Sequence, residues 1–285
     1  RMKFSVVTPS FRSSSWLKLC IASVADQEGV SFEHLVQDAC SDDGTQDWLP
    51  HDGRVKACIE KDQGMYDAIN RGLRRASGEI LSYLNADEQY LPGALAAVGR
   101  AFDRQPELDI LLADSVVVDE RGQFICCRKS LVPWALLAWT FVPMTTASLF
   151  FRRRLLDEYN LFFDTRWRGI GDVMWMRDAL RLKLRIGVLR RYTSAFTETG
   201  DNLSLKPSFL RERQLTVRMR PWWARWFRWP LHQVHRFRAL VNGIYWERPF
   251  TYSIYTREHP ERRTDFFVAK PTAIWWQRHA QAKPD

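Results

Sequence analysis

The sequence has no pair of cysteines at metal-ligand spacing. Its five cysteines, at positions 20, 40, 58, 126 and 127 of 285 residues, are odd in number, and the only close pair is adjacent. Neither a zinc site nor a disulfide framework is built that way, so all five read as reduced thiols of a cytoplasmic protein. A glycine-rich phosphate loop is also missing. The turn after the first apolar strand reads Thr8-Pro9-Ser10-Phe11-Arg12, without the G-x-G-x-x-G of a dinucleotide-dependent oxidoreductase. No internal repeat or low-complexity tract breaks the chain, and no apolar leader precedes the first strand. Only residues 133–151, PWALLAWTFVPMTTASLFF, combine absence of charge with the length of a membrane span. Two prolines and three threonines in that run favour a buried helix followed by a strand over a spanning helix.

Acidic residues are scarce at one end. Residues 205–285 hold 16 Lys and Arg against 6 Asp and Glu, whereas residues 1–204 hold 26 against 27. The whole excess of positive charge therefore lies in the last 81 residues, with seven of the 13 tryptophans. At 221–240, PWWARWFRWPLHQVHRFRAL, a helix running up to Pro230 places Trp222, Trp223, Trp226, Phe227 and Trp229 on one arc. Arg225 and Arg228 fall on the other side. Aromatics at headgroup depth beside arginines suit an anionic membrane surface. The alternative is a helix that packs its tryptophans on the rest of the protein. Tyr245–Tyr255, Phe266-Phe267 and Trp275-Trp276 continue the same character, and no nucleic-acid-binding motif accompanies it, so nucleic acid is not expected as a partner. His232, His235 and His259 carry no spacing that singles out a metal ligand.

With 46% hydrophobic residues the chain can bury a substantial core, and its N-terminal half alternates strands and helices. Phe4, Val6 and Val7 begin a strand that ends at Thr8-Pro9. A helix over about 14–26 and a strand over 32–37 follow, the latter ending at Asp38. The segment 60–88, EKDQGMYDAINRGLRRASGEILSYLNADE, is the most informative. Tyr66, Ile69, Leu73 and Ala76 make an apolar helical stripe, with Asn70, Arg71, Arg74 and Arg75 off it. Gly78 is expected to stop that helix, and Ile80–Leu84 form a short buried strand delivering Asn85, Asp87 and Glu88 to its carboxyl end. In open α/β sheets ligands sit beyond those ends, and carboxylates there suit a hard cation such as Mg²⁺ or Mn²⁺.

These segments resemble the glycosyltransferases of family 2, inverting enzymes of GT-A fold that use nucleotide-sugars. The resemblance rests on SVVTPSFR (5–12), VQDACSDDGT (36–45), residues 60–88, and FFRRRLLDEYNLFFDTRWRGIGDVMWMRDAL (150–180), in the family's order and spacing. The look-alikes extend bacterial surface polysaccharides, O-antigens or exopolysaccharides. The resemblance implies an α/β GT-A domain over 1–204, with the donor site in 1–100 and the acceptor side in 101–204. A basic, aromatic, helical extension over 205–285 would follow, with the seam near Gly200-Asp201-Asn202 and Lys206-Pro207. It implies that Thr8, Pro9, Asp38 and Asp62 hold the nucleotide, and that Asn85-Ala86-Asp87 stands for the family's D-x-D. Asp87 would ligate Mn²⁺ or Mg²⁺ through the diphosphate, with Asn85 near the ribose. Three departures are plain: Asn85 replaces the first Asp, Glu88 stands where a second Asp is common, and Ala39-Cys40 alter the loop after Asp38.

By the same resemblance the general base is Asp172, in the first turn of a helix, where a carboxylate also suits the helix dipole. Asp178 is a weaker candidate, Glu198 is a possible acceptor-site acid, and the run at 133–151 would line the acceptor cleft. The expectation is a cytoplasmic protein peripheral on the inner face of the cell membrane. It would move a sugar, UDP-linked, to a lipid-linked saccharide acceptor. The alternative is a non-catalytic membrane-surface assembly protein that keeps the fold.

Overall fold

The computed structural model describes residues 3–200 and 207–273. Strand β1 (Lys3–Ser10) is followed by helix α1 (Ser14–Ala25) and β2 (Ser31–Asp38). A single-turn α2 (Thr45–Trp48) leads to β3 (Lys56–Ile59), then α3 (Met65–Arg75), β4 (Ile80–Tyr83) and β5 (Glu88–Tyr90). Next come α4 (Ala94–Arg104), β6 (Ile110–Asp119) and β7 (Phe124–Arg128). After an irregular segment the chain forms β8 (Leu149–Arg152), α5 (Arg154–Asp157), α6 (Gly171–Arg181) and β9 (Ile186–Glu198). Beyond lie α7 (Pro207–Arg218), α8 (Trp222–Trp226), α9 (Arg228–Val241) and a hairpin of β10 (Phe250–Ile254) and β11 (Thr264–Val268).

Among the described residues nine strands share one sheet in the order β3-β2-β1-β4-β8-β6-β9-β5, with β7 also on β6. The first four are mutually parallel, and β8 then runs antiparallel to both β4 and β6. Parallel strands are covered on both faces, which is why successive residues of β1 and β4 are buried, Ser5, Thr8 and Ser82 among them, rather than alternating with exposed ones. In β4, Leu81 and Tyr83 join Val7 and the α3 stripe in one core, while Ile80 and the following Leu84 join Phe4, Val6 and α4 in the other. The close seat of α3 on β1 depends on Gly72, where an added β-carbon would stand 2.4 Å from Val7 Cγ1. The strand ends therefore project their loops to one edge of a rigid sheet, and that edge carries the cavity.

The structure corrects three details and adds a fourth. Residues 133–151 form no α-helix: two 3₁₀ turns at Leu137–Trp139 and Thr146–Ser148 precede β8, because Pro133 and Pro143 withhold amides from a longer helix. Asn70, off the apolar stripe, is nonetheless buried. It is 2% exposed, donating through Nδ2 to the Phe163 carbonyl at 2.7 Å and accepting the Phe163 amide at 2.9 Å. Helix α3 ends at Arg75, ahead of Gly78, because Ala76 turns extended. In the extension the helix does not run up to Pro230. It breaks at Phe227, and Pro230 lies in the first turn of α9, where an amide would lack an intrahelical partner anyway.

The extension is also not wholly helical. Tyr252, Ile254 and Val268 of the hairpin pack on Val116, Val118 and Ala195 of the sheet. The Tyr252 hydroxyl donates to the Gly122 carbonyl at 2.6 Å, and Arg263 pairs with Asp26. Among the described residues no helix is long and apolar enough to cross a membrane. Asp201, Asn202, Lys206, Trp275 and Trp276 lie outside the described residues.

Candidate active site

A cavity of about 830 Å³ opens beyond the carboxyl ends of β1, β2 and β4. Pro9 and Ser10 bring the end of β1 to it, and Ala39 and Cys40 bring the loop after β2. That loop is folded by carboxylates. Asp38 accepts the Ser41 amide at 2.8 Å and its hydroxyl at 2.7 Å, and Asp43 accepts the Ser14 amide at 2.8 Å, tying the loop to the start of α1. Asp38 is thus buried at its strand end behind the wall. Thr8 is buried too, with its hydroxyl 2.8 Å from His34 Nε2 in the layer beneath.

Ahead of α3, Asp62 accepts the Gly64 amide at 2.8 Å, and burial raises its carboxyl above the ordinary range. Lys61, Asp62, Gly64, Met65 and Tyr66 all face the cavity.

The turn after β4 supplies Asn85, Ala86 and Asp87 to the same wall. It is closed by reciprocal bonds: the Asn85 amide donates to Glu88 Oε2 at 2.8 Å, and the Glu88 amide donates to the Asn85 carbonyl at 3.0 Å. Burial raises both the Asp87 and Glu88 carboxyls, and the neighbouring Asp87 charge raises Glu88 further. Asn85 Oδ1 and Glu88 Oε1 are buried with no hydrogen-bond partner. Crowded, desolvated oxygens of this kind are relieved by a cation. Among the described residues no group of three or more His, Cys, Asp or Glu could hold a metal by itself. The set fits the other arrangement, in which one or two carboxylates share a hard ion with a ligand's phosphates.

Asp172 faces this acidic end from across the cavity, at the first turn of α6. The Tyr66 hydroxyl donates to Asp172 Oδ1 at 3.1 Å, and the Asp172 amide donates back to the same hydroxyl at 3.2 Å. Gly171 makes that fit possible: a β-carbon there would stand 2.6–2.9 Å from three atoms of the Tyr66 ring. Burial raises the Asp172 carboxyl, and the Val173 amide and the Tyr66 hydroxyl partly oppose it.

Pro9, Asp62, Asn85, Ala86, Asp87 and Asp172 therefore line one cavity, Thr8 and Asp38 lie buried behind it, and Glu198 ends β9 outside it. His232, His235 and His259 do not line it either. Sequence reasoning missed Lys61, Arg128 and Arg168, three cations of the wall, and Phe209, which α7 contributes from the extension. Arg168 had a signal, standing four residues before Asp172. Phe209 had none, because only tertiary packing brings it there. Of the tryptophans in α8 and α9, Trp222, Trp226 and Trp229 are 67, 80 and 73% exposed, while Trp223 is half-buried.

Residues 5–128 match the family described as glycosyl transferase family 2. An uncharacterized glycosyltransferase of Nostoc sp. is 26% identical over 186 residues, 60% of this chain and 57% of its own length. A poly(ribitol-phosphate) beta-N-acetylglucosaminyltransferase of Staphylococcus aureus, TarS, is 26% identical over 214 residues, 71% of this chain and 37% of its own. The crystal structure of TarS residues 1–349 in complex with UDP-GlcNAc superposes with a TM-score of 0.55 at 22% identity, covering 72% of this chain and 61% of that one. A mannosyltransferase of Pyrobaculum calidifontis in complex with GDP-Man and Mn²⁺ gives 0.52 at 20% identity, covering 70% and 57%. The chain thus spans little more than half of the Nostoc relative's length and less than two fifths of TarS. With its mixed sheet, flanking helices and cavity at the strand ends, the chain has a GT-A fold, and its residues 5–128 are similar to the glycosyl transferase family 2 domain.

Proposed function

We propose that this protein transfers one sugar from a nucleotide-sugar, UDP-linked, to a saccharide acceptor carried on a lipid in bacterial surface-polysaccharide synthesis. The observation that carries the reading is the convergence of Asp62, the Asn85–Asp87 turn and Asp172 on one cavity beyond parallel strand ends. The family domain supports a nucleotide-sugar donor, and the UDP-GlcNAc complex of the TarS neighbour favours uridine. The acceptor hydroxyl oxygen bonds to the anomeric carbon from the face opposite the diphosphate. The carbon–oxygen bond to phosphate breaks with its electron pair, and the nucleoside diphosphate leaves. Asp172, ionised, takes the hydroxyl proton, and Tyr66 keeps one carboxylate oxygen fixed while it does so. Asp87, with Asn85 and Glu88 beside it, would hold Mn²⁺ or Mg²⁺, which when bound neutralises charge growing on the diphosphate.

Calorimetric titration of nucleotide-sugars tests the donor site, first with Mn²⁺ and then with chelator. Metal-dependent binding of one UDP-sugar is expected. Refusal of every donor would move the function to the non-catalytic reading, a surface assembly protein on a GT-A scaffold.

The exposed Trp222, Trp226 and Trp229, beside exposed Arg225 and Arg228, favour contact with anionic lipid headgroups on the inner face of the cell membrane. That placement would bring a lipid-carried acceptor to the cavity. Replacing Trp222, Trp226, Arg225 and Arg228 together should release the protein from anionic vesicles in a sedimentation assay. Undiminished vesicle binding would refute the surface assignment.

A further inference from the structure

The extension takes part in the cavity as well as in the exposed aromatic face. Phe209, in the first turn of α7, lines the cavity, and its ring lies against Gly169. One turn further along the same helix, Glu212 uses both carboxylate oxygens on the main chain of the neighbouring loop. One oxygen accepts the Arg168 amide at 2.6 Å and the other accepts the Gly169 amide at 2.8 Å. Bonds from amides to an ionised carboxylate are the stronger kind, and two on consecutive residues fix the direction of the chain as well as its position. Only Ile170 separates this pair from Gly171 and Asp172, so the same clamp sets how α6 begins.

Arg168 is the side chain this clamp presents. It faces the cavity, and its Nη1 lies 3.1 Å from the point where a β-carbon on Gly64 would stand. That places the guanidinium ahead of α3, at the end where the helix dipole and free amides favour an anion. Glu212 holds the Arg168 main chain rather than its guanidinium, and among the described residues no carboxylate forms a salt bridge with that guanidinium. The acids of the wall, Asp62, Asp87 and Asp172, would repel a diphosphate by themselves. A positive group beside them is what a leaving nucleoside diphosphate requires.

We infer that Glu212 is a positioning residue. Through the Arg168 and Gly169 amides it presents the Arg168 guanidinium to the diphosphate of the donor, so the site is complete only when α7 of the extension is seated. The inference rests on the nucleotide-sugar reading above, and it assigns the extension a second task besides membrane contact.

The test is a thermodynamic cycle on the full chain, with UDP and Mn²⁺ as the probe. Arg168→Ala and Glu212→Ala should each weaken UDP binding about tenfold, the scale of a lost bond to a charged group. The double variant should bind no more weakly than Arg168→Ala, because the second change acts through a group already removed. Glu212→Gln keeps the length and one carbonyl acceptor and should recover part of the loss; paired with Arg168→Ala it repeats the cycle if Glu212→Ala does not fold. Purely structural damage would instead add to the Arg168→Ala loss. Equal UDP affinity in wild type and Glu212→Ala, or additive losses in the double variant, overturns the inference alone. Absence of UDP binding by the wild type overturns it together with the donor reading.

Discussion

Asp172→Asn should leave UDP-sugar binding within about threefold of wild type while turnover falls by about two to four orders of magnitude, the usual worth of a general base. The substitution keeps the shape, so Tyr66 still meets an oxygen or nitrogen at the place of Oδ1, but the group can no longer take a proton. A single-turnover assay at saturating donor separates the two effects. Near-normal turnover would move the base elsewhere, with Glu198 as the next residue to examine. The wild-type pH profile offers an independent check. Burial raises the Asp172 carboxyl, so the acid limb of turnover should lie above the ordinary carboxylate range. The sign follows from the role: a base works only when ionised, so activity is lost as pH falls through the raised value.

Asp87→Ala should abolish the metal dependence of donor binding. In the wild type, chelator should cost about two orders of magnitude in affinity, the scale of an ion shared between a carboxylate and a diphosphate. In the variant, Mn²⁺ and chelator should give the same weak isotherm. The variant also removes one of two buried, mutually repelling acids, so it should not be less stable than wild type. A thermal melt beside the calorimetry makes loss of binding in a folded protein unambiguous. Unchanged metal-dependent affinity would remove Asp87 from its proposed role.

The cavity wall after β4 was readable because its residues are close in sequence. Asn85, Ala86 and Asp87 sit on one turn after one strand, and an apolar run ended by acids states that arrangement directly. Asp172 was singled out through the family resemblance, and the structure puts it in the first turn of α6. Tyr66 was read only as a stripe residue: its ring does belong to the core, but its hydroxyl finds a partner 106 positions away. Phe209 and Glu212 were illegible for the same reason, since their contacts cross from the extension to the loop before α6. The uncharged run at 133–151 misled because its composition suits a buried helix, whereas the chain forms two short 3₁₀ turns there, one on each side of Pro143. The tryptophans of α8 and α9 were placed on a surface from their interleaving with arginine, and the described ones there are mostly exposed.

Helices α8 and α9 are moored at both ends. On the near side Glu212 grips the loop before α6, and Arg220 Nε donates to the Trp139 carbonyl at 2.9 Å. On the far side Glu247 pairs with Lys129 at 2.6 Å, and the hairpin is fastened through Tyr252 and Arg263. A segment held this way cannot swing out like a tail on a single hinge. Its aromatic face keeps a set height and tilt relative to Asp172. On the proposed membrane surface, with Asp172 as the proposed base, it would act as a ruler, admitting to Asp172 only hydroxyls that stand at one distance above the lipid.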